Sequence, residues 1–255
     1  MAEAFGNIMR EWRSIRRFSQ LQLSVEAEIS SRHLSFLESG RAHPSRSMVM
    51  KLGDALQMPK AMVNQALGAA GFTPAFPQLP PDDTALAPVR AAVDYMLINH
   101  APLPAIAIDR HWDIIGANPP ALELFAIGGV AGAGNVIDAM IAFAEDDLLE
   151  NWVEAAYLFL VRLRVEIAHY GGDHTLERYA DQIARHPRLK GAALDQIDLS
   201  QAVAPTIFNI GGERLSLFST IAQFGTVQEV TASDIRIEMM FPADDATRRY
   251  FENRQ

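Results

Sequence analysis

Ser31, Arg32, Ser35 and Phe36 cluster within the stretch Phe18 to Gly40, FSQLQLSVEAEISSRHLSFLESG. One guanidinium, two small hydroxyls and an aromatic edge are suited to reading the edges of base pairs. Arginine forks onto guanine, serine donates or accepts, and an aromatic edge touches a thymine methyl. Gln20 upstream, and Arg41 and Arg46 downstream, offer hydrogen-bond donors of the kind that grip phosphate oxygens; Arg10 is a further backbone clamp of the same type. Such a set works only if a rigid element presents it outward. Leu21 and Val25, and likewise Leu23 and Ala27, are four residues apart, which predicts a short helix with an apolar flank opening at Ser19 and Gln20. Ser30 stands where an N-cap belongs, and Gly40 where a helix stops. Between them Leu34 and Leu37 turn inward and leave Ser31, Arg32, Ser35 and Phe36 outward or sideways. Phe36 has a competing place in the core, and His33 reads as a neutral surface residue. Two short helices across a tight turn, the second with a small hydrogen-bonding face, fit a major groove.

The segment SQLQLSVEAEISSRHLSFLESGRAHPS resembles the helix-turn-helix of the XRE/phage-repressor family at Gln20, Leu23, Ala27, Ile29, Ser30, Leu34, Leu37, Glu38, Gly40 and Pro44. It departs at Glu28, where the family usually has Gly; a glutamate there must take a positive φ or the turn must differ. The resemblance covers residues 4 to about 70 and implies an all-α, five-helix, λ-repressor-like domain that binds double-stranded DNA. Around the motif, periodicity predicts helix 1 over Ala4 to Arg17 with Phe5, Ile8, Met9, Trp12 and Ile15 on one stripe. It predicts a further helix from Ser45 to Leu56, and a fifth from Pro59 to about Ala70.

Residues 72–88, FTPAFPQLPPDDTALAP, carry five of the fourteen prolines and read as a stiff connector. The expected organisation is therefore 1–71, a linker over 72–88, and a second domain over 89–255. In that second domain a helix is expected over Val89 to His100, then strands at Ala105–Ile108 and Trp112–Ala117 around an Asp109-Arg110 hairpin. Asn118 should cap a helix with Pro119 at its first position. A helix follows at Val136–Phe143, and the longest one, Leu148 to Tyr170, is capped by Asp146 or Asp147. Gly171-Gly172 stops it, and Asp173 caps another helix that runs to His186 and is ended by Pro187. Strands Thr206–Ile210 and Glu213–Gln223 join through Gly211-Gly212, a two-residue hairpin signal. Ile235, Ile237 and Met239 alternate with Arg236 and Glu238 in a half-buried strand. The pattern is α+β with an antiparallel sheet and looks PAS-like.

Leu103 to Phe125 resembles the opening of the MmyB-like ligand-binding domain, with Pro104, Ala105, Asp109, Trp112 and Asn118 in place; the family's usual His-Pro is replaced by Asn209-Ile210. The resemblance implies a small hydrophobic effector such as a fatty acid. Met140, Phe143, Trp152, Tyr157, Phe159, Leu163, Phe208 and Leu217 are the residues expected to line a ligand site, though each could equally fill the core. Arg162 and Arg164 could hold a carboxylate head, or pair with Glu154 or Glu166.

The chain carries a net charge of −9, which by itself disfavours nucleic acid. Residues 1–70 nevertheless hold nine Lys/Arg against six acids, a net of +3 that leaves −12 on the rest. A mildly basic head on an acidic body fits one part meeting phosphate and the rest avoiding it. No cysteine is present, so disulfides, thiolate chemistry and Cys-ligated zinc are excluded. MAEAFGNIMREW lacks the apolar core of a signal peptide, and the most apolar run, Ala155 to Val161, is too short to span a bilayer; a cytoplasmic protein without a membrane partner is expected. No phosphate loop, HExxH or nucleophile elbow appears, so neither an enzyme nor a bound cofactor is expected. His169 and His174 are split by the Gly171-Gly172 stop and make a poor metal pair. The reading is a homodimeric, ligand-responsive transcription regulator. The alternative keeps DNA binding and gives the second domain only dimerisation or a protein partner.

Overall fold

The computed structural model describes residues 2–145, 148–193, 197, 203–225 and 228–254. It divides into two compact units, one of Met1–Gln78 with Arg164–His174 and Gln228–Val230, the other of Leu79–Leu163, Thr175–Val227 and Thr231–Gln255. In the first, five helices follow in order: α1 (Ala2–Ile15), α2 (Gln20–Glu26), α3 (Ser31–Glu38), α4 (Arg46–Ala55) and α5 (Lys60–Ala69). Helix 1 thus starts and ends two residues before its expected limits. Phe5, Met9 and Trp12, the predicted stripe, are buried with Leu23, Leu34, Leu37, Leu52 and Leu67. Burying such side chains stabilises the bundle by roughly 1.5–3 kcal/mol each. On α2 the two apolar pairs separate: Leu23 and Ala27 go inward, while Leu21 and Val25 stay 65% and 69% exposed. Ser19 caps α2 reciprocally, its hydroxyl accepting the Gln22 amide while Gln22 Oε1 accepts the Ser19 amide. Ser30 and Ser45 cap α3 and α4 in the expected places.

Beyond Gln78 a 3₁₀ turn (Thr84–Leu86) closes the connector and leads into α6 (Ala87–Asn99), the first of the elements that build most of the second unit. Then come β1 (Ala105–Ile108), β2 (Ile114–Ala117), α7 (Pro119–Ile127), α8 (Val136–Glu145), α9 (Trp152–Tyr170), α10 (His174–Ala184) and α11 (Pro187–Lys190). The chain finishes with β3 (Thr206–Ile210), β4 (Glu213–Gln223), α12 (Val230–Ser233), β5 (Arg236–Pro242) and α13 (Asp245–Glu252). The strands form one five-stranded sheet of order β2-β1-β5-β4-β3, antiparallel throughout, so the α+β expectation holds. Gly211 and Gly212 take φ of 61° and 84°, the left-handed pair that a two-residue hairpin demands.

Three boundaries differ from expectation for identifiable reasons. Trp112 is in the β1–β2 turn at φ 69°, so β2 begins only at Ile114. The long helix begins at Trp152, because residues 148–150 run along β3 instead: the Asn209 amide donates to Leu148 O and the Glu150 amide to Ile207 O. The proposed caps Asp146 and Asp147 lie outside the described residues. Third, Arg236, expected on a solvent face, is buried.

Asn118 fixes the core of this unit. Buried at the start of α7, it accepts the Ala121 and Ala105 amides at 3.1 and 3.0 Å and donates to Leu97 O and Leu103 O at 3.1 and 2.8 Å. Register then decides which side chains face which layer. Ile106 lies opposite Glu238 and Ser219 opposite Met240, so these four share one face. Ala105, Ala107 and Ile237 take the other and pack with Val93 and Leu97 of α6.

Candidate functional site

Two surfaces carry the residues singled out from sequence, one in each unit. On the first, Ser31, Arg32 and Arg41 are exposed, and Ser35 and Phe36 half-buried. The Arg32 guanidinium lies 5.4 Å from the Phe36 ring centre. Phe36 therefore props the arginine of its own helix face rather than filling the core, an i,i+4 contact that sequence spacing allowed. The turn holds its shape with Glu28 at φ 46°, and Glu28 is paired to Lys51 at 2.9 Å. That hydrogen bond keeps the Glu28 carboxyl below the ordinary range.

Two of the expected phosphate contacts are partly engaged within the protein. Gln20 donates from Nε2 to Glu38 Oε2 at 2.7 Å, which leaves its second amide hydrogen. Arg46 donates to the carbonyls of Thr73 and Pro74, so it anchors the start of the connector and keeps only its remaining N–H groups for a phosphate. The carboxylate holding Gln20 is buried and also takes Arg13 in a two-point contact, Nε to Oε1 at 2.6 Å and Nη2 to Oε2 at 3.1 Å. That bond raises the Arg13 pKa further above its already high value. The apolar stripe that marks helix 1 in the sequence gives no sign of this role for Arg13.

In the second unit, a cleft of about 250 Å³ opens between α8, α9 and the sheet. Val136, Ala139, Met140 and Phe143 of α8 line it at helical spacing, as do Glu154, Ala155, Leu158, Phe159 and Arg162 of α9. Ile106, Thr206, Phe208, Ser219, Glu238 and Met240 form the floor, with Phe125 and Leu149 at the side. The rings of Phe143 and Phe208 meet edge to face at 5.8 Å. A mainly apolar concavity with a few polar groups is the ordinary form of a small-molecule site.

Of the residues expected to line such a site, Met140, Phe143, Phe159 and Phe208 do. Trp152 does not: it is fully buried and its indole N–H donates to Met140 O at 2.7 Å. Leu163 is likewise consumed by the core. Leu217 shares the sheet face with Thr206 but is covered and does not reach the cleft. Tyr157 is half-buried on another side of α9 than the cleft-lining residues. Arg164 is exposed and belongs to the other unit. The arginine that does reach the cleft is Arg162, its guanidinium 4.4 Å above the ring of Trp112. Glu154, Ser219, Glu238 and Met240 were not assigned to a site from sequence. The β5 alternation held the signal for Glu238 and Met240, but it was read as a solvent face.

Asp109, His111 and Asp113 bring their ligand atoms within 4.8 Å of one another. Asp109 Oδ1 accepts the amides of His111 and Asp113, and Asp113 Oδ1 accepts Asn135 Nδ2 at 2.8 Å, so both carboxylates are engaged in shaping the β1–β2 turn. No helix among the described residues is long and apolar enough to cross a membrane. No curated protein matches the chain. Residues 89–253 match the family model described as the MmyB-like transcription regulator ligand binding domain. That match spans the α+β unit that holds the cleft, and the chain belongs to this family of transcription-regulator ligand-binding domains.

Proposed function

We propose that the protein is a sequence-specific, ligand-responsive DNA-binding transcription regulator. The observation that carries the reading is the pairing of a regulator ligand-binding domain, with its apolar cleft, and an upstream α2–turn–α3 unit whose capped second helix exposes Ser31 and Arg32. The XRE resemblance and the +3 charge of residues 1–70 support the DNA half. Ser31, Arg32, Ser35 and Phe36 face base edges in this reading, and Gln20 and Arg41 face phosphate. The effector is a small molecule with an apolar body, the class to which the fatty acids implied by the resemblance belong, seated against Met140, Phe143, Phe159 and Phe208. The protein works as a homodimer in the cytoplasm, and the effector shifts the placement of two recognition helices relative to half-sites roughly 34 Å apart.

A second reading gives the α+β unit dimerisation alone. Tyr95 and Ile98, neighbours on α6 and 69% and 67% exposed, favour a self-association face there. Native mass spectrometry of the freshly purified full chain separates the two. A co-purifying small apolar mass, or a shift on adding an apolar compound, is expected. A clean mass that no such compound moves contradicts ligand sensing.

A further inference from the structure

The charges in the cleft wall indicate which end of a ligand is recognised. Most of the cleft wall is apolar, and among the described residues its ionisable lining is Glu154, Glu238 and Arg162, two carboxylates against one guanidinium. Each carboxylate is held by a neutral donor. Ser219 Oγ donates to Glu238 Oε1 at 2.6 Å, and Asn151 Nδ2 donates to Glu154 Oε2 at 3.3 Å. A carboxylate has about four acceptor positions, so both keep capacity for a ligand. The Arg162 guanidinium meanwhile lies over the Trp112 ring, whose π face already satisfies part of its charge.

We propose that the cleft selects an amphiphile with a cationic, hydrogen-bond-donating head, an amine on an apolar body, over the carboxylate of the same chain length. The proposal rests on the reading of this cleft as the effector site; it keeps the apolar body of that reading and replaces the fatty-acid head, which only the resemblance implied, with an amine. The apolar body supplies affinity by burial against α8 and α9, and the head supplies discrimination. An ammonium group meets two carboxylates with unfilled acceptor positions, while a carboxylate meets like charge and, in the described lining, has only Arg162, which like Arg236 is already stacked on Trp112. Glu238 is the central specificity residue, because the register fixes it on the cleft face and Ser219 fixes its rotamer.

The test is calorimetric titration of the full chain with octylamine, octanol and octanoate, which share one tail and differ in the head. Octylamine is expected to bind roughly two- to fivefold tighter than octanol, the scale of a half-exposed charge pair, and octanoate more weakly than octanol. Glu238→Gln should bring octylamine down to the affinity octanol shows for the same variant, with an unchanged circular-dichroism spectrum and melting curve reporting that the variant is folded. Glu154→Gln should act in the same direction. Octanoate binding as tightly as octylamine, or an amine preference that survives both variants, overturns the proposal while the apolar site stands. If octanol and its two relatives all fail to bind, the effector-site reading falls and this proposal with it.

Discussion

Glu38 joins three helices through one buried carboxylate, taking Arg13 from α1 and Gln20 from the start of α2 while sitting at the end of α3. Replacing it by glutamine keeps the shape and removes the charge, so Arg13 loses its two-point partner. Loss of one member of such a network costs about 2–3 kcal/mol, and urea unfolding of Glu38→Gln should show it; a change below ~0.5 kcal/mol would mean the network carries little. The exposed residues next door are expected to affect DNA instead. Arg32→Ala should relax base preference at one position, a loss of about 1–3 kcal/mol in discrimination, and leave stability unchanged. Arg41→Ala should weaken all sequences alike and reduce the salt slope by about one. Competition binding against base-substituted duplexes at several salt concentrations distinguishes these two outcomes. At this scale the sequence was informative where a residue's role follows from its own helix. Ser30, Ser45 and Asn118 cap where their positions required, because caps are local. It assigned Arg46 and Trp152 roles at a phosphate and a ligand but not their partners at Thr73 and Met140, which are set by tertiary packing.

The turn between α2 and α3 shows what an element costs when its residue does not suit it. Glu28 is held at φ 46° where glycine would sit without strain. Glu28→Gly should relieve about 1 kcal/mol of backbone strain and lose only an exposed ion pair to Lys51, so thermal denaturation should show a net gain. A loss would mean that the Lys51 contact outweighs the strain. Helix α13 gives a pH prediction. Asp244 caps it, accepting the Thr247 amide at 2.7 Å, and that bond holds its carboxyl below the ordinary aspartate range. Because the folded value is depressed, the contribution is complete above the unfolded aspartate pKa and is lost as pH falls through the folded one. Asp244→Ala should cost about 1 kcal/mol at neutral pH and progressively less in acid; an equal cost across that window would contradict the assignment. Most elements were legible in the chain because caps, prolines and the Gly211-Gly212 turn mark their ends. The cleft floor was not, since alternation on β5 shows that Arg236 and Glu238 share a face without showing that the face is covered.

Taken whole, the molecule combines a capped helical head, +3 over residues 1–70, with an acidic α+β unit that belongs to a family of regulator ligand-binding domains. In the proposed reading the charge split keeps attraction to phosphate local, and its small size makes DNA binding depend on a few contacts per subunit. The second unit's cleft has walls from two helices and a sheet, so a bound effector acts on several elements at once. The central claim is that the face bearing Ser31 and Arg32 enters duplex DNA, and the most direct measurement is selection of fragments of the protein's own genome by the full chain, at low and at moderate ionic strength. The account predicts enrichment of a discrete sequence with two related half-sites, lost in Arg32→Ala. Retention no greater than that of shuffled fragments at either salt concentration, with or without an apolar ligand, would contradict it.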